Sequence, residues 1–160
     1  MKRKKGNIIL SIKALLLFGS IIFLAFPNKV QAQCGMALKD VVLQEIGSAT
    51  YLKDFRVTLE AGKNPSKPPA QEFSILLNKG THYRFNIKAD KDCDDQVILK
   101  LYDFTKLYGS NYDASDGTAY VAFDFFCAKT QVYYLSISFA GAKPGCAAAI
   151  VSFVGNYDAK

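Results

Sequence analysis

The chain has 160 residues, half of them hydrophobic, with four cysteines, one histidine, no tryptophan and a formal charge of +6. That charge belongs to the N-terminus: six of the twenty basic residues lie in the first 32 positions, which hold no acid, so the remainder sets fourteen basic residues against fourteen acidic ones. A neutral remainder argues against a nucleic-acid reader, which needs a basic stripe on the folded domain, and its roughly 128 residues make one ordinary domain.

Residues 1–7 (MKRKKGN) are basic, 14–26 form an apolar run ended by Pro27, and Val30-Gln31-Ala32 fits the small-x-small pattern of a signal-peptidase site. These are the three regions of a secretory signal peptide over 1–32, which leaves an exported chain over 33–160. Two other readings use the same residues. An uncleaved anchor over 8–26 sits near the lower length limit for a span and carries Lys13. A lipid-bearing Cys34 needs a small residue before it, and Gln33 stands there. Cleavage leaves no stable membrane span. The expected location is periplasmic or secreted, with outer-membrane association as a variant.

In chain order, Leu38, Val42 and Ile46 fall at helical spacing and Gly47 can end that helix, although Val41-Val42-Leu43 would also suit a strand. Residues 51–60 alternate as a strand with Phe55, Val57 and Leu59 on one face. Residues 61–70 hold three prolines and a glycine and read as an exposed loop. Residues 71–77 and 81–89 read as a hairpin around Asn78-Lys79-Gly80, with Phe73, Ile75 and Leu77 facing Tyr83, Phe85, Ile87 and Ala89. An acidic loop, DKDCDD, covers 90–95. A strand over 96–103 turns Val97, Leu99 and Leu101 inward, and 104–118 is a long connection. A strand over 119–127 turns Val121, Phe123 and Phe125 inward and Tyr120, Ala122 and Phe126 outward, as Ile98 and Tyr102 are on the strand before it. A closing hairpin joins 131–139 to 147–154 through Gly141, Pro144 and Gly145, and 155–160 reads as a frayed tail. About seven short strands in one exported domain predict an all-β, antiparallel, jelly-roll-like β-sandwich with one short N-terminal helix at most. A closed barrel is the alternative.

All four cysteines lie in the exported part, which suggests two disulfides. With strands running up and down, 119–127 ends where 96–103 begins. This favours Cys93–Cys127 and leaves Cys34–Cys146.

The order of motifs resembles the bacterial pre-peptidase C-terminal domain over about 72–153. The resemblance rests on Gly80 opening an aromatic strand (Tyr83, Phe85), on Leu101-Tyr102-Asp103 followed by Gly109 and Ser110-Asn111, and on Tyr133-Tyr134-Leu135-Ser136-Ile137 before the last strand. It implies a β-sandwich that accompanies secreted proteases and serves substrate binding, solubility or secretion, sometimes with calcium. Here no catalytic domain is attached, and the cysteines and residues 33–59 have no counterpart in it.

For catalysis, His82 is the sole histidine and sits on an outward strand face, so no histidine-assisted nucleophile is assembled. Asp103 and Asp124 are the candidate acid pair for a small carboxylate-dependent hydrolase. The expectation is therefore a non-enzyme. Asp90, Asp92, Asp94 and Asp95 are candidate calcium ligands, with Asn111, Asp113 and Asp116 as a second oxygen-rich loop, and no other cofactor is expected. The loop lacks the glycine and glutamate of an EF-hand. Tyr102, Tyr108, Tyr112 and Tyr120 gather around the long connection and are the candidate partner-binding residues. The expected function is an accessory binding module recognising a protein or glycan of the cell envelope or exterior. A structural subunit of an envelope or secretion assembly is the alternative.

Overall fold

The computed structural model describes residues 36–91, 93 and 96–158. The expected signal peptide and Cys34 lie outside them, as do Asp92, Asp94 and Asp95 of the acidic loop. Among the described residues, no helix is long and apolar enough to cross a membrane.

Among the described residues, one α-helix, α1 (Met36–Glu45), precedes eight strands: β1 (Thr50–Leu59), β2 (Ala70–Leu77), β3 (Thr81–Ala89), β4 (Val97–Tyr102), β5 (Leu107–Ser110), β6 (Ala122–Cys127), β7 (Gln131–Phe139) and β8 (Gly145–Asn156). They form two antiparallel sheets in the orders β1-β8-β3-β6 and β2-β7-β4-β5. The all-β sandwich is as expected, and so is the short N-terminal helix among the described residues.

The period of two explains the core. Phe55 and Val57, Tyr83, Phe85 and Ile87, and Ala147, Ala149 and Val151 face inward from the first sheet. Leu99 and Leu101 with Tyr133, Leu135, Ile137 and Phe139 face them from the second. β8 is buried on both faces. Its other row, Cys146, Ala148 and Ile150, lies under Leu38, Val42 and Ile46 at α1. Three consecutive alanines, Ala147 to Ala149, keep this strand thin enough to carry a sheet on one side and a helix on the other.

The pairing differs from the expected hairpins. β2 pairs with β7, whereas β3 pairs with β8 and β6. Asn78-Lys79-Gly80 therefore carries the chain across the sandwich from one sheet to the other, with Gly80 at φ 77°. Likewise β7 and β8 belong to different sheets, and a 3-10 turn at Ala140–Ala142 lies between them. Alternation reports which side chains face inward; it is identical whether the neighbouring strand lies beside or opposite. The tail is also not frayed where expected. β8 runs to Asn156, and the Tyr157 N–H donates to the Gly80 carbonyl. Val121, expected inward, is exposed, and Ile98, expected on an open face, is buried.

The Cys93–Cys127 pairing is overturned: both are free thiols. Cys127 pairs with Thr81 at the start of β3, while Ala147 pairs with Ala89 at its end. Cys93 Sγ accepts the Cys146 N–H at 3.2 Å, at that far end. Eight residues of strand, roughly 27 Å, separate the two positions, far beyond the roughly 7 Å that a disulfide spans between Cα atoms. The cause is β5, which lies in the stretch expected to be a connection. One added pass reverses the direction of the next strand, so β6 ends at the opposite end of the sandwich. Cys146 is not among the free thiols, and its pairing with Cys34 stands as a proposal.

Candidate functional site

The expected site residues separate into three places. Asp124 lies on the outer face of the first sheet, where its carboxylate takes two bonds from Arg84, at 2.9 and 3.1 Å, and one contact of 2.9 Å with His82 Nε2. Arg84 above all, and then His82, holds Asp124 below the usual carboxylate range. The His82 ring stacks on Phe126 at 4.1 Å. This group is an ion pair with a bonded histidine.

At the Val97 end of the second sheet, Asn111 is buried and satisfies three backbone groups. Its Oδ1 accepts from Leu99 N at 2.6 Å, and its Nδ2 donates to the carbonyls of Val97 at 3.0 Å and Tyr120 at 2.9 Å. Asp113 and Asp116 accept from backbone N–H groups two residues on, at Ser115 and Thr118. These oxygens close local turns. Tyr112 bridges to Ala119 here, and Tyr120 is exposed.

The third place is the turn 103–106 between β4 and β5. Asp103 Oδ1 accepts from Thr105 N, Thr105 Oγ1 and Lys106 N, at 2.7, 2.6 and 3.0 Å. Its Oδ2 accepts from Tyr108 OH at 2.7 Å and from Gln131 Nε2 at 2.9 Å. The Thr105 hydroxyl first, then the Tyr108 hydroxyl and the turn's N–H groups, hold Asp103 well below the usual carboxylate range. A depressed folded value contributes stability above the unfolded value, near pH 4, and that contribution is lost only as pH falls through the lower folded value. The side-chain carboxyl carbon of Asp103 should therefore show no NMR titration step near pH 4; a step there would contradict the bonding.

This turn displays Phe104, which is 90 % exposed. The Phe104 ring meets Tyr134 edge-on at 5.1 Å, and Tyr134 lies 5.8 Å from Tyr102. Tyr102 OH donates to Glu72 Oε1 at 2.6 Å, and burial first, then Glu72, pushes the phenol up to about 12. Tyr108 takes the opposite direction. Its ring packs edge-on against Phe125 at 5.6 Å and Tyr133 at 5.2 Å, which makes it part of the core and the turn. Of the four expected tyrosines, Tyr102 stands beside Phe104 and Tyr134, while Tyr112 lines a separate groove with Lys100 and Leu107. The sequence signal for Phe104 was an aromatic inside a polar turn, Asp103-Phe104-Thr105-Lys106, with no apolar residue two places on.

The face around Phe104 is the outer surface of the second sheet. Its registers give three rows: Glu72–Ser136–Lys100, Ser74–Tyr134–Tyr102, and Leu76–Val132. Leu76 and Val132 are exposed, as is Leu107 on β5. A shallow groove of about 470 Å³ lies between Phe104, Tyr102, Lys100 and Leu107. A second cleft of about 730 Å³ runs between β1 and β2. Its lining includes Lys53, Asp54 and Arg56, with the Phe55 and Phe73 rings 4.9 Å apart.

No protein-family model matches the chain, and a search of curated proteins returns no match. Among solved structures, the chain is similar to PliG of Aeromonas hydrophila, a periplasmic inhibitor of g-type lysozyme, with a TM-score of 0.48 and 8% identity, covering 67% of this chain and 89% of that one. It is also similar to the pre-peptidase C-terminal domain of a Bacillus anthracis collagenase, with a TM-score of 0.47 and 10% identity, covering 64% of this chain and 89% of that one. The second belongs to the family that the sequence resembles. With TM-scores under 0.5, both are likenesses of fold and carry no argument about partner or activity.

Proposed function

We propose that this protein is an exported, non-enzymatic binding module whose recognition surface is the outer face of the second sheet, and whose partner is a protein. The supporting observation is Phe104, an almost fully exposed aromatic on a turn that Asp103 fixes through five hydrogen bonds. An exposed phenylalanine in water is unfavourable, and a rigid turn removes the ordering cost that a flexible anchor would meet on binding. Preorganised aromatics of this kind are what protein interfaces concentrate their energy on.

The carboxylate-hydrolase reading has less support. Asp103 and Asp124 are each held by internal partners, Asp103 on the turn after β4 of the second sheet and Asp124 on β6 of the first. The envelope-assembly reading uses the same face and differs only in what covers it.

The test is a crosslinked pull-down from the native cell envelope with the wild type and Phe104→Ser in parallel. The expected result is loss of the wild-type partner bands at an unchanged Tm. Equal recovery of the same bands by both proteins would remove the reading, and loss of bands on glycosidase treatment of the envelope would move it to a glycan.

A further inference from the structure

We propose that one protein partner of this face is a second copy of this chain, docked face to face about a two-fold axis parallel to β7. The inference rests on the reading of the face as a recognition surface and commits to its occupant.

The face is complementary to itself. β7 is the central strand of the trio β2-β7-β4, with β5 lying beyond β4 and outside the symmetric part of the face. A two-fold axis lying in the interface along β7 places each β4 over the partner's β2. Residues of one row then meet their counterparts across the axis. In the first row, Glu72 and Lys100 flank Ser136. The operation sets each Lys100 against the other copy's Glu72, which makes two ion pairs from one row. Glu72 keeps one oxygen on the Tyr102 hydroxyl, so its carboxylate is already oriented on the face. Lys100 is exposed.

The apolar residues obey the same symmetry. On the β2 side Leu76 is 63 % exposed, and on the β4 side Phe104, continuing beyond Tyr102, is 90 % exposed. The axis sets Phe104 against the partner's Leu76, twice, with Val132 from both copies between them. Tyr134 meets Tyr134. Acid answers base and apolar answers apolar under one operation, as an isologous interface requires. Two sheets stacked this way keep their strands within about 30° of each other, the usual geometry of aligned sheets.

The other end of the face is bordered by the loop after β1: Ile98 is 8 % exposed and Ser138 7 %, and Pro65 and Pro68 line a separate groove together with Ile98. The matched rows cover the three strands β2, β7 and β4, roughly 14 Å across and a similar length along them. That footprint is below the standard interface size, so the dimer is a weak, transient one.

Sedimentation equilibrium of the full exported chain, from a few to several hundred micromolar, reads the association directly. The wild type should show a monomer–dimer equilibrium. Lys100→Glu sets like charges together in both pairs and should weaken dimerisation about tenfold or more. The swap Glu72→Lys with Lys100→Glu should restore it in part, which no folding defect would do. As an independent reading, Val132→Cys lies on the axis and should be joined to its counterpart by a short bis-maleimide, with the wild type as the uncoupled control. A wild type that stays monomeric throughout the range, or a dimer indifferent to Lys100→Glu, overturns the proposal. If the chain is monomeric while Phe104→Ser still loses envelope partners, the self-association falls and the recognition surface stands. If the dimer forms as described while the envelope partners ignore Phe104, the face serves assembly and the recognition of other proteins falls.

Discussion

Asn111→Ala should lower the unfolding free energy by about 3 kcal/mol, read as a fall in the denaturation midpoint at constant m-value. The side chain is 1 % exposed and holds the Leu99 N–H together with the carbonyls of Val97 and Tyr120. Alanine leaves these groups without the amide that satisfied them, in a place where β4 meets the 111–121 connection. Each such orphan costs about 1–3 kcal/mol, less whatever water can recover. Asn111→Asp keeps the acceptor for Leu99 but brings a buried charge and removes the donor, so it should be no milder than alanine. A midpoint shift below a few tenths of a molar in guanidinium would show that the amide is not holding the two segments together.

Gly145→Ala should cost about 2–3 kcal/mol through overpacking. A methyl group at Gly145 would lie 2.4 Å from ring carbons of Phe139, which is 2 % exposed and has no room to withdraw. Gly145 opens β8 and pairs with Leu59, so the backbone cannot shift without disturbing the first sheet. The double variant Gly145→Ala with Phe139→Leu should recover part of the loss. Additive losses in that double-mutant cycle, or an unchanged Tm for Gly145→Ala alone, would remove the clash as the cause.

Much of the fold was legible because burial writes a period into sequence. The inward rows Phe73, Ile75 and Leu77, Tyr83, Phe85 and Ile87, and Tyr133, Leu135 and Ile137 are where alternation put them. The helix face of Leu38, Val42 and Ile46 is buried as its spacing implied. Pairing was not legible. The chain order β2, β3 and β7, β8 suggested hairpins, but both turns are arches between sheets, and only contacts distant in sequence decide that. β5 was missed because four residues, Leu107-Tyr108-Gly109-Ser110, are too short to show a period. That single omission carried the disulfide error with it.

The candidate site was half visible. Outward tyrosines pointed to the region between residues 102 and 120, and the aromatic face is anchored there by Tyr102. Tyr108 could not be told from it, because a bulge between Leu101 and Tyr102 resets the β5 register and turns that ring inward. Phe104 was hidden for the opposite reason: it belongs to no strand, and its exposure follows from the hydrogen bonds of its neighbour Asp103.

The place of β8 between β1 and β3 has a consequence in time. β1 is the first strand made, yet the first sheet offers it no neighbour except β8, the last. Nearly every strand pairing joins segments far apart in the chain, and such topologies fold slowly because long loops must close before any contact rewards them. The run Ala147-Ala148-Ala149 is thus the step on which closure waits. Until that segment arrives, β1, β3 and α1 each keep an unpaired edge or an uncovered apolar stripe, and all three are completed together.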